Sequence, residues 1–227
     1  MPDLPQITVS PDGPYLVSGG LVCSELIMVS GPRNRVYLQG RVLTTEENYA
    51  LCRCGHTQTP PFCDGSHLRE HFEGAEVASR APYAARMETF DGPTLLLEDD
   101  HRCSYARFCH RWGMEVWTLT DLSDNPELRA EAIQAALDCP SGRLQHRDKL
   151  QDNQVIEERD EPGIFILQDP DQRCSAGILV RGNVPLVSAD GETYEIRPRY
   201  TLCHCGLSNN KPFCDATHVS LKWFDGL

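Results

Sequence analysis

The chain has 227 residues, 40% hydrophobic and 24% charged, a balance that excludes a disordered or fibrous polypeptide and suits one large domain or two small ones. Its 21 basic residues face 33 acidic ones, giving a net charge of −12; such a surface repels nucleic-acid phosphates and anionic lipid. No apolar run approaches the roughly eighteen residues a membrane span requires.

Met1-Pro2-Asp3-Leu4-Pro5 has neither the basic start nor the apolar core of a secretory leader, so the expected compartment is the cytoplasm, with its thiols reduced. Eleven cysteines in that setting point to metal or cluster ligation. Runs at residues 14–18, 25–29 and 36–43, punctuated by Pro and Gly, read as strands. They lead into Cys52-Arg-Cys54-Gly-His-Thr-Gln-Thr-Pro-Pro-Phe-Cys63-Asp64-Gly65-Ser66-His67.

Beyond residue 80 the character changes. Thr94–Glu98 reads as a strand running into a loop that carries Cys103 and Cys109, and Glu115–Leu119 as a second strand. Asn125–Asp138 places Leu128, Ala132, Ala135 and Ala136 on one helical face, with Ser123 or Asp124 as cap and Pro126 in the first turn. This helix delivers Cys139, the start of Cys139-Pro140-Ser141-Gly142. Strand-like runs at 164–168, 177–187 and 193–197 then precede Cys203-His-Cys205-Gly-Leu-Ser-Asn-Asn-Lys-Pro-Phe-Cys214-Asp215-Ala216-Thr217-His218.

A shift of 151 positions superimposes Cys52, Cys54, Cys63 and His67 on Cys203, Cys205, Cys214 and His218. Both quartets read C-x-C-x8-C-x3-H with Pro-Phe-Cys-Asp retained, the mark of internal duplication. Structural zinc usually spaces its close cysteine pair by two to four residues; here one residue intervenes. A 2Fe-2S core takes two ligands on each iron, so C-x-C can clamp one iron and the later cysteine and histidine the other. The spacing therefore favours an iron-sulfur cluster over zinc.

With Cys63-Asp64-Gly65-Ser66-His67 in place, the chain resembles the CDGSH, or NEET, iron-sulfur family over about sixteen residues twice. The second copy departs at Ala216 and Thr217 but keeps every ligand. The resemblance implies one 2Fe-2S cluster on Cys52, Cys54, Cys63 and His67 and another on Cys203, Cys205, Cys214 and His218. It also implies an intertwined pair, which two copies in one chain can form internally. The middle segment resembles half of a bacterial ferredoxin, in which a Cys-Pro closes the cluster. Its C-x5-C…C-P pattern is similar to single-cluster 3Fe-4S ferredoxins and to a divergent 4Fe-4S family. Three cysteines, Cys103, Cys109 and Cys139, suit a 3Fe-4S cluster; a 4Fe-4S cluster needs a fourth ligand from His101, His110, Cys23 or Cys174.

Within the motifs, Thr57 and Ser208 can bond either cluster sulfur or local backbone, and Asp64 and Asp215 are placed to cap backbone N–H groups. His56 and His204 read as solvated loop residues, His71 and His146 as surface, Cys23 and Cys174 as core thiols. Trp112, Trp117 and Trp223 read as packing residues. The expected fold is α+β: a β-rich segment and first CDGSH lobe over 1–80, a ferredoxin-like insert over 81–160, and a second CDGSH lobe over 161–227, the lobes related by a pseudo-twofold axis. No nucleophile–base pair, phosphate loop or dinucleotide fingerprint stands out, so the expectation is a non-enzymatic, monomeric electron-transfer protein whose acidic surface steers a basic redox partner. Cluster storage, delivery or redox sensing through the histidine ligands is the alternative.

Overall fold

The computed structural model describes residues 4–227 and is mixed α+β, mostly sheet with a few short helices. The largest sheet runs Arg199–Leu202, Cys174–Arg181, Gly163–Asp169, Cys23–Ser30, Arg35–Thr44. Its central pairing is parallel, Ile164 opposite Cys23 and Leu167 opposite Leu26, so the early and late segments share one sheet. The Gly163–Asp169 and Cys174–Arg181 strands are buried along nearly their whole length, as expected of central strands covered on both faces. A second, four-stranded sheet also mixes the segments, in the order Leu186–Val187, Gln6–Val9, Tyr15–Ser18, Tyr49–Leu51. Ile7, Tyr15, Leu51, Ile164, Ile178 and Leu202 form the shared core, each fully buried, and each such side chain contributes about 1.5–3 kcal/mol. One buried carboxylate ties the loops beneath it: Asp169 accepts from Arg35 at 3.0 Å and from Arg107 at 2.7 Å.

The middle segment builds a sheet of its own, Gln154–Ile156, Leu144–Asp148, Leu95–Asp99, Glu88–Asp91. Leu97, Val116, Ala135, Ala136 and Leu144 pack that sheet against helices Val116–Asp121 and Pro126–Leu137. The longer helix has Pro126 in its first turn as expected, but its cap is Asn125, whose side chain accepts from the N–H groups of Glu127 and Leu128, and not Ser123 or Asp124.

Other expectations need correction. Of Glu115–Leu119 only Glu115 is extended, closing the two-residue strand Met114–Glu115; Val116–Asp121 is helical, with Val116, Leu119 and Thr120 turned into the core and the Thr120 hydroxyl donating to the Val116 carbonyl. The run 177–187 is two strands separated by a turn, and 193–197 contributes only a single bridge, Thr193 to Val187. His146 is not on the surface. It is 1% exposed and pairs with Thr120 at 2.9 Å. No helix among the described residues is long and apolar enough to cross a membrane.

Candidate metal centres

Each C-x-C leaves the end of a strand that is held in the same register. Leu51 sits opposite Tyr15, Leu202 opposite Ile178, and each bridges to the phenylalanine of its own motif, Phe62 or Phe213. The loop bonds repeat as well: Cys52 N–H donates to Pro61 O and Cys203 N–H to Pro212 O at 2.8 Å, while Cys63 and Cys214 donate to Ala50 and Thr201 at 2.9 Å. Asp64 accepts from the N–H groups of Gln58 and Ser66, and Asp215 from those of Asn209 and Thr217, so both aspartates brace the loop as expected. The residue before each histidine-bearing helical turn is left-handed, Gly65 at φ 84° and Ala216 at φ 72°, which returns His67 and His218 toward their cysteines.

The eight donors stand in four pairs. Cys52 Sγ is 3.7 Å from Cys54 Sγ, and Cys203 Sγ is 3.8 Å from Cys205 Sγ. Cys63 Sγ is 3.4 Å from His67 Nδ1, and Cys214 Sγ is 3.5 Å from His218 Nδ1. On one tetrahedral metal with bonds of about 2.3 Å to sulfur and about 2.0 Å to nitrogen, two sulfurs stand about 3.8 Å apart and sulfur and nitrogen about 3.5 Å. Each pair therefore has the spacing of two ligands on one metal. A mononuclear zinc would gather all four donors of a quartet at those separations. Among the described residues, the only donor trio drawn within 4.8 Å is Glu88, Asp99 and His101, so neither quartet is gathered that tightly. The Glu88 trio is itself engaged, since Asp99 is paired with Arg143 and His101 with Glu88.

Electrostatics prepare the thiols. The hydrogen bond from Cys54 draws the Cys52 thiol down, and that from Cys205 draws the Cys203 thiol down. The second thiol of each pair is pushed up by the same bond and by burial. Backbone N–H groups of Gly55 and Thr57 at Cys52, and of Gly206 and Ser208 at Cys203, add donors toward sulfur. The Thr57 and Ser208 hydroxyls turn the other way, donating to the Phe62 and Phe213 carbonyls at 2.6 and 2.7 Å. The copies differ in exposure: Cys214 and His218 are buried, Cys63 and His67 only partly so.

The two C-x-C loops pack against each other reciprocally. A Cβ at Gly55 would stand 2.4 Å from Cys205 O, and one at Gly206 would stand 2.3 Å from Cys54 O. Trp223 Nε1 donates to Gly55 O at 3.3 Å, and the Tyr15 hydroxyl bonds Cys203 O and Pro212 O at 2.9 and 3.0 Å. His204 is not a solvated loop histidine. It is buried between Trp223, 4.9 Å away, and the Asp225 carboxylate at 3.8 Å, close enough to Cys52 to feel its charge. His56, by contrast, is exposed as expected.

Cys103, Cys109 and Cys139 line one cavity with the backbone of 104–108 wrapped around it. Tyr105 and Arg107 adopt positive φ there, and the Tyr105 N–H donates to Cys103 Sγ at 3.3 Å. Burial, followed by the charges of Cys139 and Cys103, pushes Cys109 up to about 12, a sign that the three sulfurs face one space. None of the four expected extra ligands lines it. Cys23 lies in the shared core, Cys174 opens a strand by the C-terminus, His101 pairs with Glu88, and His110 faces Glu115. Burial, followed by the charge of Cys203, raises the Cys214 thiol, with Cys103 adding the least.

Comparison with known proteins agrees with this division. The family model described as an iron-binding zinc finger of CDGSH type matches residues 12–68 and 176–219, and that of a divergent 4Fe-4S mono-cluster matches 91–149. No curated protein and no solved structure matches the chain. The chain is an iron-sulfur-binding protein in which two CDGSH-type regions flank a divergent 4Fe-4S mono-cluster region.

Proposed function

We propose that the chain is an electron-transfer protein with one 2Fe-2S cluster on each quartet and a third cluster on Cys103, Cys109 and Cys139. The observation that carries this reading is the adjacency of the three donor sets: the Gly55 and Gly206 loops pack on Cys205 O and Cys54 O, and Cys214 lines one cavity with Ser141, two residues beyond Cys139. The clusters supply reversible one-electron transfer. The chain's part is to hold them in line, with the reciprocal Gly55 and Gly206 contacts as the centre of a pseudo-twofold internal pair. Paired donors support binuclear clusters over mononuclear zinc. Three thiolates without a further cysteine or histidine on the cavity support 3Fe-4S at the third site, or a 4Fe-4S cluster whose last iron takes a non-thiolate ligand. The reading assigns no catalysis to the chain, which acts as a monomer in the cytoplasm and meets a basic redox partner through its acidic surface.

Cluster delivery or sensing is the second reading, favoured at one place by the partial exposure of Cys63 and His67. Stopped-flow reduction and reoxidation of the full chain separates the two readings. Fast, repeatable cycles in which the visible absorbance recovers fully on reoxidation support electron transfer. Loss of absorbance matched by reconstitution of an added apo-ferredoxin supports delivery and refutes the first reading.

A further inference from the structure

Between the second quartet and the Cys139 turn lies a cavity of about 30 Å³ that the cluster reading does not use. It touches Cys214 and Phe213 on one side, Ser141 and Gly142 on the other, and opens at a rim of exposed residues that includes Ala81 and Glu195. A cavity needs about 10–15 Å³ for each water, so this one accepts two waters or one ion of about three heavy atoms.

Its chemistry is cationic in a chain that is otherwise acidic. Arg86 and Arg102 share a single carboxylate, Asp100, at 2.7 and 4.0 Å. Asp100 is buried. Arg197 has no carboxylate within ion-pair distance among the described residues; it lies 3.7 Å over the Tyr83 ring and donates once, to Gly142 O at 3.4 Å. Arg102 also donates once, to Ser79 O, and covers Phe213 at 4.2 Å. The remaining N–H groups of both guanidinia therefore have no protein acceptor among the described residues. Thr201, 2% exposed, lines the same cavity, and its buried hydroxyl has no hydrogen-bond partner among the described residues. Two more lining arginines are engaged elsewhere, Arg80 with Asp190 and Glu192 and Arg199 with Glu157; the lining carboxylates Asp100 and Glu195 are left to face Arg86, Arg102 and Arg197.

We propose that this cavity binds a small planar monoanion of the carboxylate type, formate-sized, with Arg102 and Arg197 forking its oxygens and Thr201 donating to it. Planar guanidinia suit such two-oxygen anions, and charge-assisted hydrogen bonds are the strong ones. Seated against Cys214, the anion adds negative charge beside the second quartet. This regulatory consequence rests on the electron-transfer reading: bound anion disfavours reduction there, and by reciprocity the reduced protein binds the anion more weakly.

Calorimetric titration of the full, cluster-loaded chain with sodium formate at constant ionic strength tests the binding without reference to redox. One saturable site per chain is expected, with affinity falling through acetate and propionate. Arg197→Gln should weaken it about tenfold or more, and the isosteric Thr201→Val severalfold without loss of visible absorbance. Absence of saturable formate binding, or equal affinity in wild type and Thr201→Val, overturns the site. Repeating the titration on dithionite-reduced protein should weaken binding about fivefold or more. Unchanged affinity there, with the oxidised-state site intact, refutes only the coupling to the cluster.

Discussion

Gly55→Ala isolates the contact between the two CDGSH motifs. Gly55 sits at φ +81°, and an added Cβ would meet the Cys205 carbonyl oxygen at 2.4 Å and its carbon at 2.8 Å, both backbone atoms that cannot swing aside. Gly65 is the internal control: its φ is +84° with nothing within 4 Å of an added Cβ, and the second motif already holds Ala216 at the equivalent position with φ 72°. Gly65→Ala therefore pays only the left-handed backbone cost, about 1–2 kcal/mol. Gly55→Ala pays that and must also separate two packed loops, as overpacking does, for about 3–5 kcal/mol in all. Urea unfolding of cluster-loaded protein, followed by visible absorbance and tryptophan fluorescence, gives both values. Because the displaced atoms belong to Cys205, Gly55→Ala should perturb the visible circular dichroism of both quartets, whereas Gly65→Ala should perturb one. Equal costs for the two variants, or a Gly55→Ala spectrum altered at the first quartet alone, would refute the reciprocal packing.

Other predictions follow from the same geometry. His67→Cys and His218→Cys should each retain a cluster at lower reduction potential and with greater acid resistance, because thiolate adds negative charge where imidazole was neutral; unchanged potential and acid lability in both would remove these histidines from the ligand sets. In the wild type, the partly exposed first quartet should bleach before the second as pH falls, which stopped-flow acid jumps on single-motif cysteine variants would resolve. Burial lowers His146 to about 4, below the unfolded value of about 6.5, so the unfolded chain binds more protons and stability falls by up to about 3 kcal/mol as pH drops from 6.5 toward 4. His146→Gln should flatten that part of the urea-midpoint profile, and an unchanged profile would contradict its burial. Asp169→Asn leaves Arg35 and Arg107 without their shared carboxylate and should cost about 3–5 kcal/mol in the same unfolding assay; a cost under 1 kcal/mol would show that the buried network is not structural.

The candidate donor sets were legible because their signal is local: four donor residues at fixed spacing, repeated. The helix leading to Cys139 was legible for a similar reason, with Pro126 and three alanines at helical intervals. What escaped depends on contacts far apart in sequence. Val116-Trp-Thr-Leu119 carries β-branched and aromatic residues of high strand propensity, yet packing of Val116 and Leu119 on the middle sheet makes it helical. His204 reads as a loop residue until Trp223 and Asp225 close over it. One clue was available, since the residue 151 positions earlier, Arg53, is a large polar side chain in the same slot and is also buried. The parallel pairing of Cys23–Ser30 with Gly163–Asp169 joins segments whose periodicity gives no hint of their partner. The cavity at Arg197 and Thr201 draws its residues from six separate stretches of chain, so no motif announces it.

The central claim is that the quartets hold binuclear clusters and the cysteine triad a third. Iron and acid-labile sulfide analysis, joined to electron paramagnetic resonance before and after dithionite on protein kept anaerobic throughout, tests it most directly. About seven iron atoms per chain are expected, with a signal in the oxidised state from a 3Fe-4S cluster that vanishes in Cys109→Ser, and signals from both 2Fe-2S clusters only after reduction. An oxidised sample without signal and with about eight irons would replace the third cluster by 4Fe-4S. A colourless protein containing zinc and no sulfide would contradict the account outright.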